Sequence, residues 1–289
     1  MMLAGTGSGR TRSTSEVIVL WPGSPPGQAP EARPERTNAK GAVAGVMQPR
    51  LVVYRPVRPN GMAMIVIAGG GYNHIERGRE STPSCRWLQS AGITAFELIY
   101  RLPGSGWLPV APFQDAQRAV RLVRKQAAAF AVDPARIGLI GFSAGAHLAG
   151  MTATCPAAML YPPHDEADQL SARPDFAGLI YPVLTMMPPF DQTHARRAIL
   201  GSHPDLRQSE AWSVERRVDK QTPPVFLAQA ADDPVSPVDN SLLMFGALRA
   251  AGIPAEMHVF QSGGHGWGLG RPNTTVHAWP DLFIRWAGC

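Results

Sequence analysis

Short apolar runs alternate with amphipathic stretches along most of this chain. Val17–Leu20 and Leu51–Tyr54 read as strands, as do the fully apolar Met62–Ala68 and Ile93–Tyr100. Pro83–Ala91 has helical spacing, with Gly92 as its stop. Residues 113–130 form the longest helical pattern, in which Ala116, Ala119, Val120, Val123 and Ala127 share a face. Ile137–Ile140 is the next strand, and the alanine-rich Ala144–Ala149 predicts a helix directly after it. Further on, Phe176–Tyr181, Val225–Gln229 and Ala255–Phe260 read as strands. Pro237–Ala251 and Thr275–Trp286 read as helices.

Alternating strands and helices call for an α/β architecture, a mostly parallel central sheet with helices on both faces. Two stretches fall outside it. The Pro- and Gly-rich segment from Gly23 to Gln48 is too polar and broken for a core element. The Pro-rich segment 182–221 predicts short helices, placed as a small cap-like insertion over the carboxyl ends of the strands. Residues 1–16, rich in Gly, Ser, Thr and Arg, read as a disordered leader, leaving 17–289 as one domain. The leader lacks the continuous apolar core of a signal peptide. That fits a cytoplasmic chain, or a secreted one whose signal has been removed.

The chemistry concentrates where Ile137–Ile140 runs into Gly141-Phe142-Ser143-Ala144-Gly145. Strand, G-x-S-x-G and helix in succession predict a sharp turn with Ser143 at its apex. Its flanking glycines let strand and helix approach, and the Ala144 N–H sits at the helix start. A serine nucleophile needs a base, and the base needs an orienting acid. His265 lies between Gly264 and Gly266 just after the Ala255–Phe260 strand, and is the candidate base. The acid is Asp232 or Asp233, both just after Val225–Gln229. Asp232 is preferred, as the first acidic residue beyond the strand. Gly69-Gly70-Gly71 end the Met62–Ala68 strand and offer bare N–H groups to a developing oxyanion. Tyr72 and Trp267, beside the glycine run and the histidine, are candidate substrate-binding residues. His147, one turn beyond Ser143, reads as packing. Asp239 reads as a helix-start residue.

Composition narrows the function classes. The formal charge of +5 is almost all arginine, the only lysines being Lys40, Lys125 and Lys220. The arginines are scattered without a basic stripe, so no nucleic-acid partner is expected. No apolar run approaches the roughly 18 residues of a membrane span, and no membrane partner is expected. Cys85, Cys155 and Cys289 lie far apart without C-x-x-C, and the histidines show no metal spacing, so neither a disulfide framework nor a metal is indicated. The glycine run lacks the spacing of a nucleotide-binding loop, and no cofactor is implied.

Taken together, Leu20-Trp21-Pro22-Gly23, the stretch from Ala68 to Tyr72, Tyr100-Arg101-Leu102-Pro103, the stretches 114–121 and 133–138, the serine turn through Ala149, Ala231-Asp232-Asp233-Pro234-Val235 and Gly263-Gly264-His265-Gly266 resemble the bacterial acetyl-xylan-esterase-like α/β-hydrolases. The resemblance implies an α/β-hydrolase fold and a serine esterase that removes acetyl, sometimes feruloyl, groups from plant polysaccharides without a cofactor. Its partner would be a small-molecule or oligosaccharide ester. Position by position it implies a triad of Ser143, Asp232 and His265, with Gly70, Gly71 and Ala144 as oxyanion donors. Ala68 and Ala146 depart from the residues usual in that family. Two other readings remain at this stage: a peptidase or amidase of the prolyl-oligopeptidase type, and a non-catalytic binder on a hydrolase scaffold.

Overall fold

Strands that are apolar at every position need cover on both faces, and the central strands of this protein have it. The computed structural model describes residues 16–27 and 34–288. Its strands are β1 (Val17–Val19), β2 (Arg36–Thr37), β3 (Val43–Ala44), β4 (Arg50–Tyr54), β5 (Ala63–Ile67), β6 (Thr94–Ile99), β7 (Ile137–Phe142), β8 (Phe176–Ile180), β9 (Val225–Ala230) and β10 (Ala255–Phe260). The main sheet has eight strands in the order β1-β4-β6-β5-β7-β8-β9-β10. β4 is antiparallel to both β1 and β6, and all other pairings are parallel. Every residue of β5, β6, β7 and β9 is buried, whereas the edge strand β10 is mostly half-exposed.

The helices are α1 (Thr82–Ser90), α2 (Ala111–Lys125), α3 (Ala144–Thr154), α4 (His194–Leu200), α5 (Leu206–Ala211), α6 (Asp239–Ala251) and α7 (Trp279–Ala287). α2, α3 and α6 cover one face of the sheet, where Val120, Leu148 and Met244 join Ile65, Leu139 and Leu227 in one core. α1 and α7 cover the other, where Cys85, Leu88, Trp279 and Phe283 meet Met64, Ile140 and Phe226. This is the α/β-hydrolase fold that the alternation and the motifs predict. Cys85 and Cys155 are free thiols. Among the described residues no helix is long and apolar enough to cross a membrane. The expected leader lies outside the described residues, apart from Glu16.

Three expectations need adjustment. The longest helix stops at Lys125, and a separate 3-10 turn, Ala127–Phe130, completes the predicted face. α3 continues five residues beyond the predicted end, to Thr154. The Gly23–Gln48 segment is not free of core residues: Val43 and Val46 are 1% and 0% exposed. Val43 exchanges backbone hydrogen bonds with Ile75, and the Trp107 indole N–H donates to the Val46 carbonyl. These partners are distant in sequence, so no local pattern reveals the burial. Segment 182–221 does hold the short helices α4 and α5. It is tied down where the Asn240 Oδ1 accepts the N–H groups of Leu184 and Thr185.

One buried ion pair joins three of the motifs. Arg101 and Asp115 have fully buried side chains and meet at 2.7 Å. The Trp21 indole N–H donates to the same carboxylate, also at 2.7 Å. The Asp115 carboxyl is raised above the ordinary aspartate range by burial, against which the Arg101 guanidinium pulls it down. Removing one member leaves the other charge buried and uncompensated. Asp115→Ala is therefore expected to lower unfolding stability by about 3–5 kcal/mol, read from urea denaturation midpoints. A midpoint equal to that of the wild type would show that the pair does not anchor the N-terminal strand.

Candidate active site

The serine turn is built by close packing. Ser143 has φ 53° and ψ −119°, a conformation that L residues adopt only when the surroundings impose it. Its N–H donates to the Ile180 carbonyl, and its own carbonyl accepts from Ala146 and Val183. A Cβ on Gly141 would lie 2.3 Å from the Gly145 carbonyl oxygen, and one on Gly145 would lie 2.2 Å from that of Ile67. Both positions therefore require glycine, as the motif predicts. The result is a serine at the top of the sheet with α3 starting behind it.

His265 reaches this serine from the loop after β10. Its Nε2 lies 2.8 Å from the Ser143 Oγ, and its Nδ1 lies 2.7 Å from the Asp233 Oδ2. The carboxylate can only accept, so Nδ1 carries the proton and Nε2 presents its lone pair to the serine hydroxyl. The Asp233 side chain is fully buried. It accepts further hydrogen bonds from the Gln229 amide and from the N–H groups of Val235 and Ser236.

This geometry corrects the choice of acid: Asp233, not Asp232, faces the imidazole. The chain turns tightly after β9, with the Asp233 N–H folding back on the Ala230 carbonyl. That turn directs the second aspartate inward and leaves Asp232 exposed at the tip. Asp232 has a different task. Its Oδ1 accepts the N–H groups of Gly263 and Gly264 at 2.9 and 2.8 Å, pinning the histidine loop to the end of β9.

A cleft of about 490 Å³ opens above the serine, within the size range of small-ligand sites. Gly70, Gly71 and Ala144 line it beside Ser143 and His265. Among the described residues no backbone acceptor pairs with the Gly70 or Gly71 N–H, whereas the Gly69 N–H donates to the buried Glu80. The remaining wall mixes polar and apolar side chains. Asn73, His74, Glu76 and Arg79 come from the segment after the glycines, Val183, Thr193, His194 and Ala195 from segment 182–221, and Val235 from the loop after β9.

Neither aromatic candidate lines this cleft. Tyr72 is 0% exposed and points into the core, its hydroxyl 2.8 Å from the His147 Nδ1. The His147 Nε2 faces the Trp212 carbonyl, so Nε2 carries the proton and Nδ1 accepts from the tyrosine. Burial lowers the His147 pKa to about 4, keeping the ring neutral, as its reading as a packing residue requires. Trp267 stands behind Tyr181, ring centroids 4.5 Å apart, and packs on Trp279 and Phe260. Adjacency in sequence to Gly71 and His265 does not set side-chain direction, which is why both expectations fail.

Sequence reasoning missed Glu80. It lies on a π-helical turn, Arg77–Ser81, that leads into α1, and it is 3% exposed at the base of the cleft. Burial pushes its carboxyl up to about 7, although the Gly69 N–H and the Tyr181 hydroxyl both hydrogen-bond it. A π-turn has no sequence signature, so only the glutamate's place eleven residues after Gly69 marked it. Among the described residues no group of histidine, cysteine and carboxylate side chains is arranged to hold a metal ion.

Residues 52–248 match the BD-FAE family model. The acetylxylan esterase of Xylanibacter ruminicola is 31% identical over 226 residues, which is 76% of this chain and 44% of that protein. The endo-1,4-beta-xylanase B of Butyrivibrio fibrisolvens is 35% identical over 229 residues, 78% of this chain and 34% of that protein. The chain thus spans less than half the length of these curated relatives. Among solved structures, the acetyl ester-xyloside bifunctional hydrolase of Caldicellulosiruptor lactoaceticus superposes with a TM-score of 0.80 at 36% identity. That match covers 94% of this chain and 95% of the other. With more than half of its length matched by the family model, and a serine, histidine and aspartate in register above a parallel sheet, this chain belongs to the BD-FAE family.

Proposed function

We propose that the protein is a serine carboxylic ester hydrolase that removes short acyl groups, acetyl first among them, from a carbohydrate such as acetylated xylan. The observation that carries this reading is the unbroken relay from Ser143 through His265 to Asp233, opening into a cleft that also presents Asn73, His74, Arg79 and His194. Ser143 attacks the ester carbonyl while the His265 Nε2 takes its proton. The buried Asp233 holds the imidazole in that tautomer and stabilises the imidazolium. The N–H groups of Gly70, Gly71 and Ala144 receive the developing oxyanion, the last aided by the start of α3. The protonated histidine then gives its proton to the leaving alcohol, and water repeats the sequence on the acyl-serine. No step calls for a cofactor.

The alcohol side is argued from the walls. Asn73, His74, Arg79 and His194 offer hydrogen bonds suited to hydroxyl groups, beside the apolar Val183, Ala195 and Val235. The 182–221 segment supplies Thr193 and His194 and serves as a small cap. The likeness to an acetylxylan esterase and to an acetyl ester-xyloside hydrolase supports the same choice.

Three outcomes test the reading. Ser143→Ala is expected to lower kcat on p-nitrophenyl acetate by about 10⁶ with the fold unchanged by circular dichroism. Activity close to that of the wild type in the pure variant would remove Ser143 from the mechanism. Asp233→Asn favours the wrong imidazole tautomer and is expected to cost about 10⁴ in kcat. Asp232→Asn keeps one acceptor oxygen for the histidine loop and should cost less than about tenfold; the reverse ranking would restore Asp232 as the acid.

Acyl length gives the third outcome. An open apolar groove gains about 0.8 kcal/mol per buried methylene, so a lipase-like site improves toward octanoate. A cleft too short for an acyl tail gains nothing from added methylenes. kcat/KM is expected to be higher for p-nitrophenyl acetate than for the octanoate, with acetate released from acetylated xylan or glucose pentaacetate. A profile rising toward octanoate without acetate release would defeat the carbohydrate reading, and faster cleavage of peptide anilides than of esters would favour a peptidase.

A further inference from the structure

The relay leaves one buried acid at the cleft unused. Glu80 Oε2 accepts the Gly69 N–H at 2.6 Å, and Oε1 accepts the Tyr181 hydroxyl at 3.0 Å. The Tyr181 oxygen in turn accepts the Gly268 N–H at 3.1 Å. The Tyr181 ring stands edge-on to the His265 imidazole, centroids 5.1 Å apart. A Cβ built on Gly69 would lie 3.3 Å from Glu80 Oε2 and 2.8 Å from the Ser143 Cβ, so the carboxylate and the nucleophile both border the same side of this glycine. One side chain therefore links the end of β5, the end of β8 and the histidine loop.

We propose that Glu80 is a positioning residue of this site. Its carboxylate fixes the glycine run that leads to the Gly70 and Gly71 N–H groups and, through Tyr181, the loop that carries His265. The inference rests on the ester-hydrolase reading given above. Two donors, the Gly69 N–H and the Tyr181 hydroxyl, point at this carboxylate. That arrangement matches an acceptor-only, ionised group. The charged and titratable groups around it are His265 from the β10 loop, Tyr181 just after β8, Tyr100 just after β6, and Glu76 and Arg79 from its own segment. His265 favours the charged form of Glu80 and Glu76 opposes it, while burial outweighs both. By reciprocity the Glu80 charge favours the imidazolium that His265 becomes during attack.

Glu80→Gln keeps the shape but leaves one acceptor oxygen for two donors. In the full chain, with p-nitrophenyl acetate, kcat is expected to fall about 10- to 100-fold, with KM within about threefold of the wild type. Stability supplies a second readout. The folded carboxyl titrates at about 7, above its ordinary 4.5, so the folded chain holds a proton that the unfolded chain loses first. Wild-type stability therefore falls as pH rises across that window. The Tm difference, variant minus wild type, should become more positive from about pH 5 to about pH 8. Tyr181→Phe removes the hydroxyl but keeps the ring against His265. It should lower kcat at least about fivefold, and its effect should not add to that of Glu80→Gln.

An active wild type with Glu80→Gln within about twofold of it in kcat overturns the inference and leaves the esterase reading intact. A kcat loss matched by an equal Tm loss at both pH values makes Glu80 merely structural and overturns it as well. Should Glu80→Gln fail to fold, an unchanged kcat in Tyr181→Phe overturns it alone. A wild type inactive on every ester, by contrast, defeats the esterase reading itself.

Discussion

The close approach of β7, α3 and the end of β5 is the constraint on which the rest of the site depends. The backbone at Gly145 packs so tightly on the carbonyls of Ile67 and Ala68 that even a methyl group would not fit. This contact forces the chain to reverse within one residue, and Ser143 takes up the reversal with a positive φ of 53°. Such a conformation costs on the order of 1–3 kcal/mol. It persists because the residue is anchored from both sides, its N–H on Ile180 and its carbonyl on the Val183 N–H. The same contact brings the glycine run at the end of β5 against the nucleophile. The oxyanion donors and the serine are thus set by one packing event.

Much of this was legible in the sequence because its signals are local. Uninterrupted apolar runs marked the buried strands, G-x-S-x-G between strand and helix marked the turn, and the glycines around His265 marked a loop free to approach it. What was not legible depends on direction. Asp232 and Asp233 are adjacent and chemically identical, and the turn through Ala230–Asp233 decides which of them points inward. Tyr72 and Trp267 are neighbours of functional residues, yet backbone geometry sends both rings away from the cleft. Val43 and Val46 are buried by partners that no short window of sequence contains.

Three carboxylates near the site show how environment separates identical chemistry. Asp233 is enclosed and receives four donors, one of them the imidazole N–H. Its lone pairs are largely committed, so its geometry is fixed, which is what an orienting acid needs. Asp232 is exposed, and its two backbone donors make it a staple between two loops. Glu80 is as deeply buried as Asp233 but receives two donors among the described residues, and its carboxyl rises to about 7. The number of donors, more than depth, distinguishes the buried pair. A buried carboxylate with few donors stores part of the desolvation penalty. On the positioning reading, that penalty is retained because the charge performs a task that an amide or a methyl group would not. The two donors Glu80 does receive lead, one to the glycine run and the other to the histidine loop, and so that task belongs to the site rather than to the core.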